Sequence, residues 1–211
     1  MLLTIVDYGV GNLRSIAKSF EKANSDNSLN YSVKISSDVN DVKKSDKIVL
    51  PGQGSFKACK SGIDNIKGLQ EELNESVLIK KKPIYGICAG MQLFATTGHE
   101  EERTSGLNWI PGEVIKLNLG KSNLKIPHMG WNELKIESNS KVFEDKINKD
   151  HAYFIHSYEF IPIDKKNVSI TTNYGKDVIA AVSSGNIFGS QFHPEKSQNT
   201  GIKILTNFLK L

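Results

Sequence analysis

The sequence predicts an α/β protein: a mixed, mostly parallel central sheet with helices on both faces and an antiparallel extension. Three observations carry this expectation. In the first half, apolar strand-like runs alternate with helical patterns, the rhythm of a parallel sheet. From Glu113 onward, strand-like segments follow one another, several separated by tight turns such as Ser184-Gly185. Between the two lies Gly86-Ile87-Cys88-Ala89-Gly90, where an apolar strand runs into a helix through a sharp turn.

Taken in order, Leu2 to Asp7 reads as a strand and Asn12 to Ala23 as a helix. Ser32 to Ser36 and Lys47 to Leu50 read as strands, and Ser61 to Lys80 carries helical material. Ile84 to Cys88 is a strand, followed by a helix through Met91-Gln92-Leu93-Phe94-Ala95. Strands are then expected at Glu113–Leu117, Trp131–Ile136, Ala152–Ile161, Val168–Thr172, Val178–Ser183 and Asn186–Phe192, with a final helix over Asn199–Leu209. No internal repeat, linker or low-complexity tract interrupts the pattern, so a single domain spanning residues 1–211 is expected, long enough for a substantial core.

Bulk properties narrow the function. A net charge of +4, from 27 basic and 23 acidic residues, is too mild to argue for nucleic acid, and no basic patch is interleaved with aromatics. Lys80-Lys81-Lys82 reads as a solvated helix end. No apolar run approaches the ~20 residues of a membrane span. Met1 to Asp7 lacks the basic flank and cleavage site of a signal peptide, so a cytoplasmic protein is expected. Its two cysteines, Cys59 and Cys88, suit a reducing compartment in which a nucleophilic thiol stays free, with Cys59 structural or incidental. His128 and His151 lack the spacing and partners of a metal site, and no metal or cofactor is expected.

The chemistry centres on Cys88. Glycines on both sides tolerate the strained dihedrals and close backbone approach of a strand-to-helix turn. At the start of a helix, unpaired N–H groups and the dipole favour a negatively charged sulfur. On its own the pentapeptide fits a buried core thiol as well as a nucleophile. The second segment is Gln191-Phe192-His193-Pro194-Glu195-Lys196. His193 and Glu195 are two apart, so in an extended chain they face the same side, and Pro194 keeps His193 out of the helical region. The carboxylate can then hold one imidazole nitrogen and leave the other to take a proton from the thiol: nucleophile, base and orienter. Cys88 and Leu50-Pro51-Gly52-Gln53-Gly54 both follow strands, so both loops can meet at the carboxyl rim of a sheet, where open α/β folds bind ligands.

The elbow Gly86–Gln92, the segment Phe192-His193-Pro194-Glu195 and the loop Leu50–Gly54 together resemble the class I (triad) glutamine amidotransferases. Three further blocks, Val6–Ser15, Pro127–Asn132 and Tyr153–Tyr158, resemble the glutaminase subunits of imidazole glycerol phosphate synthases within that family. The resemblance runs from Leu3 to the C-terminal helix. Ala89 stands where leucine or valine is common, and Asn24 to Tyr31 departs in length.

The resemblance implies that Cys88, His193 and Glu195 are catalytic, and that backbone N–H groups of Gly52 or Gln53 with that of Ala89 form an oxyanion hole. It places Gln92, Glu100, Ser157 and Tyr158 on the substrate, L-glutamine, and Asn12, Trp131, Tyr153 and Lys196 toward a cyclase partner in a heterodimer. Read alone, Gln92 is a helix-surface amide, Glu100 part of a solvated acidic turn, and Trp131 a core residue. The same resemblance implies histidine biosynthesis, with ammonia passed through a tunnel and low activity in isolation. The same chemistry serving a paralogous cyclase in surface-sugar modification, a non-catalytic binding protein and a cysteine peptidase are the alternatives. All three triad residue types count against the second. Gln92 and Glu100, better suited to a free amino acid, count against the third.

Overall fold

Alternation along the first strand sets the architecture of the computed structural model, which describes residues 1–120 and 122–211. In β1 (Leu2–Val6), Leu3 and Ile5 point to one face and Val6 to the other, and all three are fully buried. A strand buried on both faces belongs inside a layered sheet. The chain continues through α1 (Leu13–Asp26), β2 (Ser32–Ser36), α2 (Val39–Lys44), β3 (Lys47–Leu50), α3 (Phe56–Asp64) and α4 (Leu69–Asn74). A π-helical turn over Glu75–Ile79 leads into β4 (Ile84–Ile87) and the one-turn α5 (Ala89–Gln92). The rest comprises β5 (Thr97–Gly98), β6 (Thr104–Ser105), β7 (Gly112–Lys116), β8 (His128–Glu133), β9 (Lys135–Ile136), β10 (His151–His156), β11 (Tyr158–Pro162), β12 (Val168–Asn173), β13 (Asp177–Ser184), β14 (Ile187–Ser190) and α6 (Gln198–Leu209).

The main sheet has the order β2-β1-β3-β4-β14-β13-β12-β9. Its first five strands are parallel, and β13, β12 and β9 extend it antiparallel, so the expected mixed α/β sheet is present. On one face α1 and α6 bring Ile16, Phe20, Ile204 and Phe208 against Leu3, Ile5, Val49 and Tyr85. On the other, α3 and α4 bring Phe56, Ile63, Leu69 and Leu73 against Val6, Ile48, Leu50 and Ile84. Each such side chain stabilises the fold by about 1.5–3 kcal/mol relative to exposure. Among the described residues, no helix is long and apolar enough to cross a membrane.

Several boundaries differ from the sequence reading. Trp131–Ile136 is two strands: β8 pairs with β10, while β9 joins the main sheet beside β12. Ala152–Ile161 also divides, with β10 on β8 and β11 on β7. Trp131–Ile136 keeps one alternation across its division, whereas Ala152–Ile161 loses it after His156, where Glu159 and Phe160 are both buried. Alternation reports which side of a strand is buried and not which strand pairs with it. The helical stretch read as Ser61–Lys80 begins at Phe56, because the Ser55 hydroxyl caps the Ala58 N–H at 3.3 Å, and it is broken at Gly68, whose φ is +81°. The short α2, capped by Asp38, and the two-residue strands β5 and β6 lie outside the sequence reading.

One consequence positions the site. β3, β4 and β14 are neighbours running in the same direction, so the loops after Leu50, Ile87 and Ser190 leave the sheet at one rim. Ile87 lies opposite Ser190 in the register, and the Cys88 N–H donates to the Ser190 carbonyl at 2.7 Å. Cys88 and the Gln191–Glu195 segment therefore emerge side by side.

Candidate active site

Cys88 stands at φ +54°, ψ −115°, a conformation that costs a non-glycine residue of order 1–3 kcal/mol and persists only where surrounding structure holds it. Here that structure is glycine packing. A Cβ on Gly86 would meet Met91 N at 2.7 Å, and one on Gly90 would meet Leu50 O at 2.0 Å. The helix that follows is only Ala89–Gln92, shorter than the sequence suggested. A single turn carries little macrodipole, so no long helix dipole acts on the sulfur.

His193 and Glu195 are brought together differently from the expected extended chain. His193 is extended (φ −96°, ψ 100°), but Pro194–Lys196 forms a 3₁₀ turn with proline at its start, where its missing N–H is harmless. That turn swings Glu195 back, and His193 Nδ1–H donates to Glu195 Oε1 at 2.8 Å. The Glu195 side chain is almost wholly buried, and its Oε2 has no hydrogen-bond partner among the described residues. The Ser197 hydroxyl donates to the His193 carbonyl at 2.6 Å, and the His193 N–H donates to Tyr153 O at 2.9 Å, so the backbone of the base is held on both sides. Burial pushes the imidazole toward neutrality, but the hydrogen bonds and charges of Cys88 and Glu195 overcome it and lift its pKa to about 10. Nδ1 is committed to Glu195, leaving Nε2 for the thiol.

A cavity of about 340 Å³ opens over these groups. Its lining contains Cys88, His193, Gly52, Gln53, Ala89, Gln92, Glu100, Ser157, Tyr158 and Lys196. Glu195 lies behind His193 rather than in the lining. The loop after β3 is pressed onto the elbow: a Cβ on Gly52 would sit 2.0 Å from Gly90 N. Two side chains that sequence reasoning left without a role hold this loop. The Tyr8 hydroxyl donates to the Pro51 carbonyl, and the Cys59 thiol lies 3.7 Å from the Gln53 carbonyl as its donor. Both are buried, and burial pushes the Cys59 thiol up to about 11, so it stays a neutral donor.

The other residues named from sequence fall into two groups. Glu100 Oε2 accepts the Phe56 N–H at 2.7 Å at the start of α3, so one carboxylate oxygen is committed to the protein. Gln92 is buried rather than on a helix surface; its Nε2 donates to Tyr158 O at 3.1 Å and to Gln191 Oε1 at 2.9 Å. Its Oε1 is left for the cavity. The Ser157 carbonyl accepts the Leu117 N–H at 2.9 Å.

The second group lies outside the cavity lining, apart from Lys196. Trp131 is 48 % exposed, not core, and pairs across strands with Tyr153, their rings edge to face at 6.1 Å. Met129 and Ile155 are the next cross-strand pair, also exposed. Lys196 Nζ lies 5.7 Å from the centre of the Tyr153 ring. Asn12 is exposed and caps α1 through Oδ1, in a turn whose Gly11 abuts Pro51. An apolar strip thus borders the cavity, which Ile155 and Lys196 also line.

Sequence reasoning also missed two buried imidazoles. His128 is stacked between Phe154 and Tyr174, with centroid distances of 4.5 and 4.0 Å, and its Nδ1 lies 3.0 Å from His156 Nε2. Burial lowers the pKa of His128 to about 4 and that of His156 to about 3. The sequence carried no period-two signal for the second, because Ala152-Tyr153-Phe154-Ile155 is apolar throughout.

The family model for class-I glutamine amidotransferases matches residues 4–211. The chain is 50% identical over 211 residues to the imidazole glycerol phosphate synthase subunit HisH of Pelagibacter ubique, covering 100% of both. It is 42% identical over 213 residues to the subunit of the same name from Brucella suis, covering 100% of this chain and 99% of that one. Among solved structures, a glutamine amidotransferase superposes with a TM-score of 0.71 at 16% identity, covering 99% of each chain, a likeness of fold. With Cys88 on a strained strand-to-helix turn and a carboxylate-held histidine at one rim, and matches that span its length, the chain belongs to the class-I glutamine amidotransferase family.

Proposed function

We propose that the chain is the glutaminase subunit of an imidazole glycerol phosphate synthase, hydrolysing L-glutamine to L-glutamate and ammonia for a cyclase partner in histidine biosynthesis. The observation that carries the chemistry is the arrangement of Cys88 on its strained turn beside an imidazole fixed by Glu195 at 2.8 Å. The full-length likeness to subunits named HisH carries the assignment to that synthase. The cavity volume of about 340 Å³ lies at the small end of ligand pockets and suits a free amino acid better than an extended peptide.

In this reading the Cys88 sulfur, its proton held on His193, attacks the side-chain amide carbon of glutamine. Negative charge develops on the amide oxygen and is met by N–H groups of Ala89 and of Gly52 or Gln53; one such donor is worth about 3–4 kcal/mol. His193 then gives its proton to the leaving nitrogen, and ammonia departs as the thioester forms. A water loses its proton to His193 and attacks the thioester carbon, and the sulfur leaves with glutamate as product. Glu195 keeps the ring in one tautomer and stabilises its charged form. Gln92 Oε1 and the free oxygen of Glu100 are acceptors suited to the substrate ammonium, and the Ser157–Tyr158 backbone flanks its carboxylate. The strip of Met129, Trp131, Tyr153 and Ile155, together with Asn12 and Lys196, is the face offered to the cyclase. An exposed tryptophan on this strip is a suitable interface anchor.

The test is turnover in the reconstituted synthase with the cyclase and its nucleotide substrate. Cys88→Ser is expected to abolish glutamine-dependent product and leave ammonia-dependent product intact. Full glutamine use by that variant would refute the mechanism.

A further inference from the structure

One fully buried amide outside the triad touches the nucleophile. Gln191 Nε2 lies 3.5 Å from Cys88 Sγ. Gln191 is fully buried and absent from the cavity lining, so it reaches the sulfur from the protein interior, away from the substrate.

Its orientation follows from a chain of hydrogen bonds that begins at a group with no choice. A carbonyl oxygen only accepts, and Tyr158 O receives His156 Nδ1 at 2.8 Å and Gln92 Nε2 at 3.1 Å. Gln92 must therefore turn its NH₂ inward. That NH₂ also meets Gln191 at 2.9 Å, so Gln191 must answer with Oε1. The Gln191 NH₂ is left facing the sulfur. The other branch is equally determined. With its proton on Nδ1, His156 accepts at Nε2 from His128 Nδ1 at 3.0 Å, and His128 Nε2 accepts from Asn132 Nδ2 at 3.2 Å. Each donor nitrogen of this network meets at least one acceptor, which rigidifies it.

We propose that Gln191 is a further catalytic residue, its amide N–H donating to the Cys88 sulfur and held to that task by Gln92. The proposal rests on the glutaminase reading and deepens it. A donor aimed at sulfur interacts weakly with a neutral thiol or thioester and strongly with an anion. It therefore favours the ionised sulfur before attack. It favours it again when the thioester breaks and sulfur takes back the bonding electron pair as glutamate is released. No atom of Gln191 is transferred.

The test is alkylation of Cys88 by iodoacetamide at neutral pH, read by peptide mass spectrometry so that Cys59 is scored separately. It is run on the full chain, on Gln191→Glu, which replaces the donor with an acceptor of the same shape, and on Gln191→Met. Expected is a fall of about tenfold in the Cys88 alkylation rate in both variants. In the synthase complex, glutamine kcat falls at least tenfold with KM within threefold, and ammonia-dependent turnover persists. Gln92→Glu, which cannot donate to Gln191, is expected to slow alkylation as well. Thermal melts identify any variant that fails to fold, and the other Gln191 variant then decides. Alkylation within twofold of the parent chain in a folded Gln191 variant overturns the proposal. Because alkylation does not depend on glutamine, slowed alkylation in the variants of a chain that hydrolyses none even in the synthase complex would sink the glutaminase reading and leave the donor standing.

Discussion

Gly52 and Gly90 are in backbone contact: a Cβ on the first would sit 2.0 Å from the amide nitrogen of the second. This contact presses the loop after β3 onto the nucleophile turn, and it has no room for a methyl group. Gly90→Ala would push against Leu50 O at 2.0 Å, which is backbone and cannot rotate away. Expected is a loss of about 3 kcal/mol, a fall of roughly 6–12 °C in Tm. Glutaminase activity should fall by more than the unfolded fraction accounts for. Thermal melts and single-turnover assays at a temperature where the variant is folded check both; an unchanged Tm would mean the two loops are not packed this way.

The His193 imidazole, raised by Cys88 and by Glu195, makes stability depend on alkaline pH. The folded imidazole titrates at about 10 against an ordinary 6.5, so the folded state binds the proton more tightly than the unfolded chain. The stabilisation is fully present below pH 6.5 and is lost as pH rises through about 10. Urea melts should show unfolding free energy declining across that window. Glu195→Gln removes one of the two groups that favour the imidazolium, Cys88 remaining, and should reduce the decline while lowering kcat about 10²-fold. A parent chain whose stability rises over the same window would contradict the assignment.

The buried histidines act with the opposite sign. His128 and His156 titrate at about 4 and 3, below their ordinary 6.5, so the unfolded chain binds their protons first. Their contribution is whole above pH 6.5 and is lost as pH falls toward their folded values. Between pH 6.5 and 5, above the carboxylate range, stability should drop by up to about 1.4 kcal/mol per pH unit for each ring. His128→Gln should halve the slope, as measured by urea midpoints at fixed ionic strength. An unaltered slope would show that the ring is not buried neutral.

Glu100 gives a binding effect rather than a chemical one. Glu100→Gln keeps an acceptor for the Phe56 N–H but removes the charge offered to the substrate ammonium. A charged hydrogen bond of about 1.5–3 kcal/mol corresponds to a rise in KM for glutamine of roughly 10- to 150-fold, with kcat within threefold. Steady-state kinetics with the cyclase present decide it; an unchanged KM would place the ammonium elsewhere.

What the linear chain determined about this protein was local. Glycines around Cys88 announced a strained turn, apolar runs alternating with helical patterns marked the parallel sheet, and a histidine two residues before a glutamate announced an imidazole–carboxylate pair. Each depends on neighbours a few positions apart, where backbone sterics and periodicity dominate. Tertiary structure alone decided the rest. Setting β14 beside β4 placed His193 next to Cys88. Strand pairing split Trp131–Ile136 and Ala152–Ile161 between different sheets, because a strand-like run does not encode which partner it meets. The Tyr8 and Cys59 donors, the His128–His156 pair and the Gln92–Gln191 link to sulfur arise from contacts between distant segments. Burial forces each of those polar atoms to find a partner, and which partner is set by packing that no local pattern encodes.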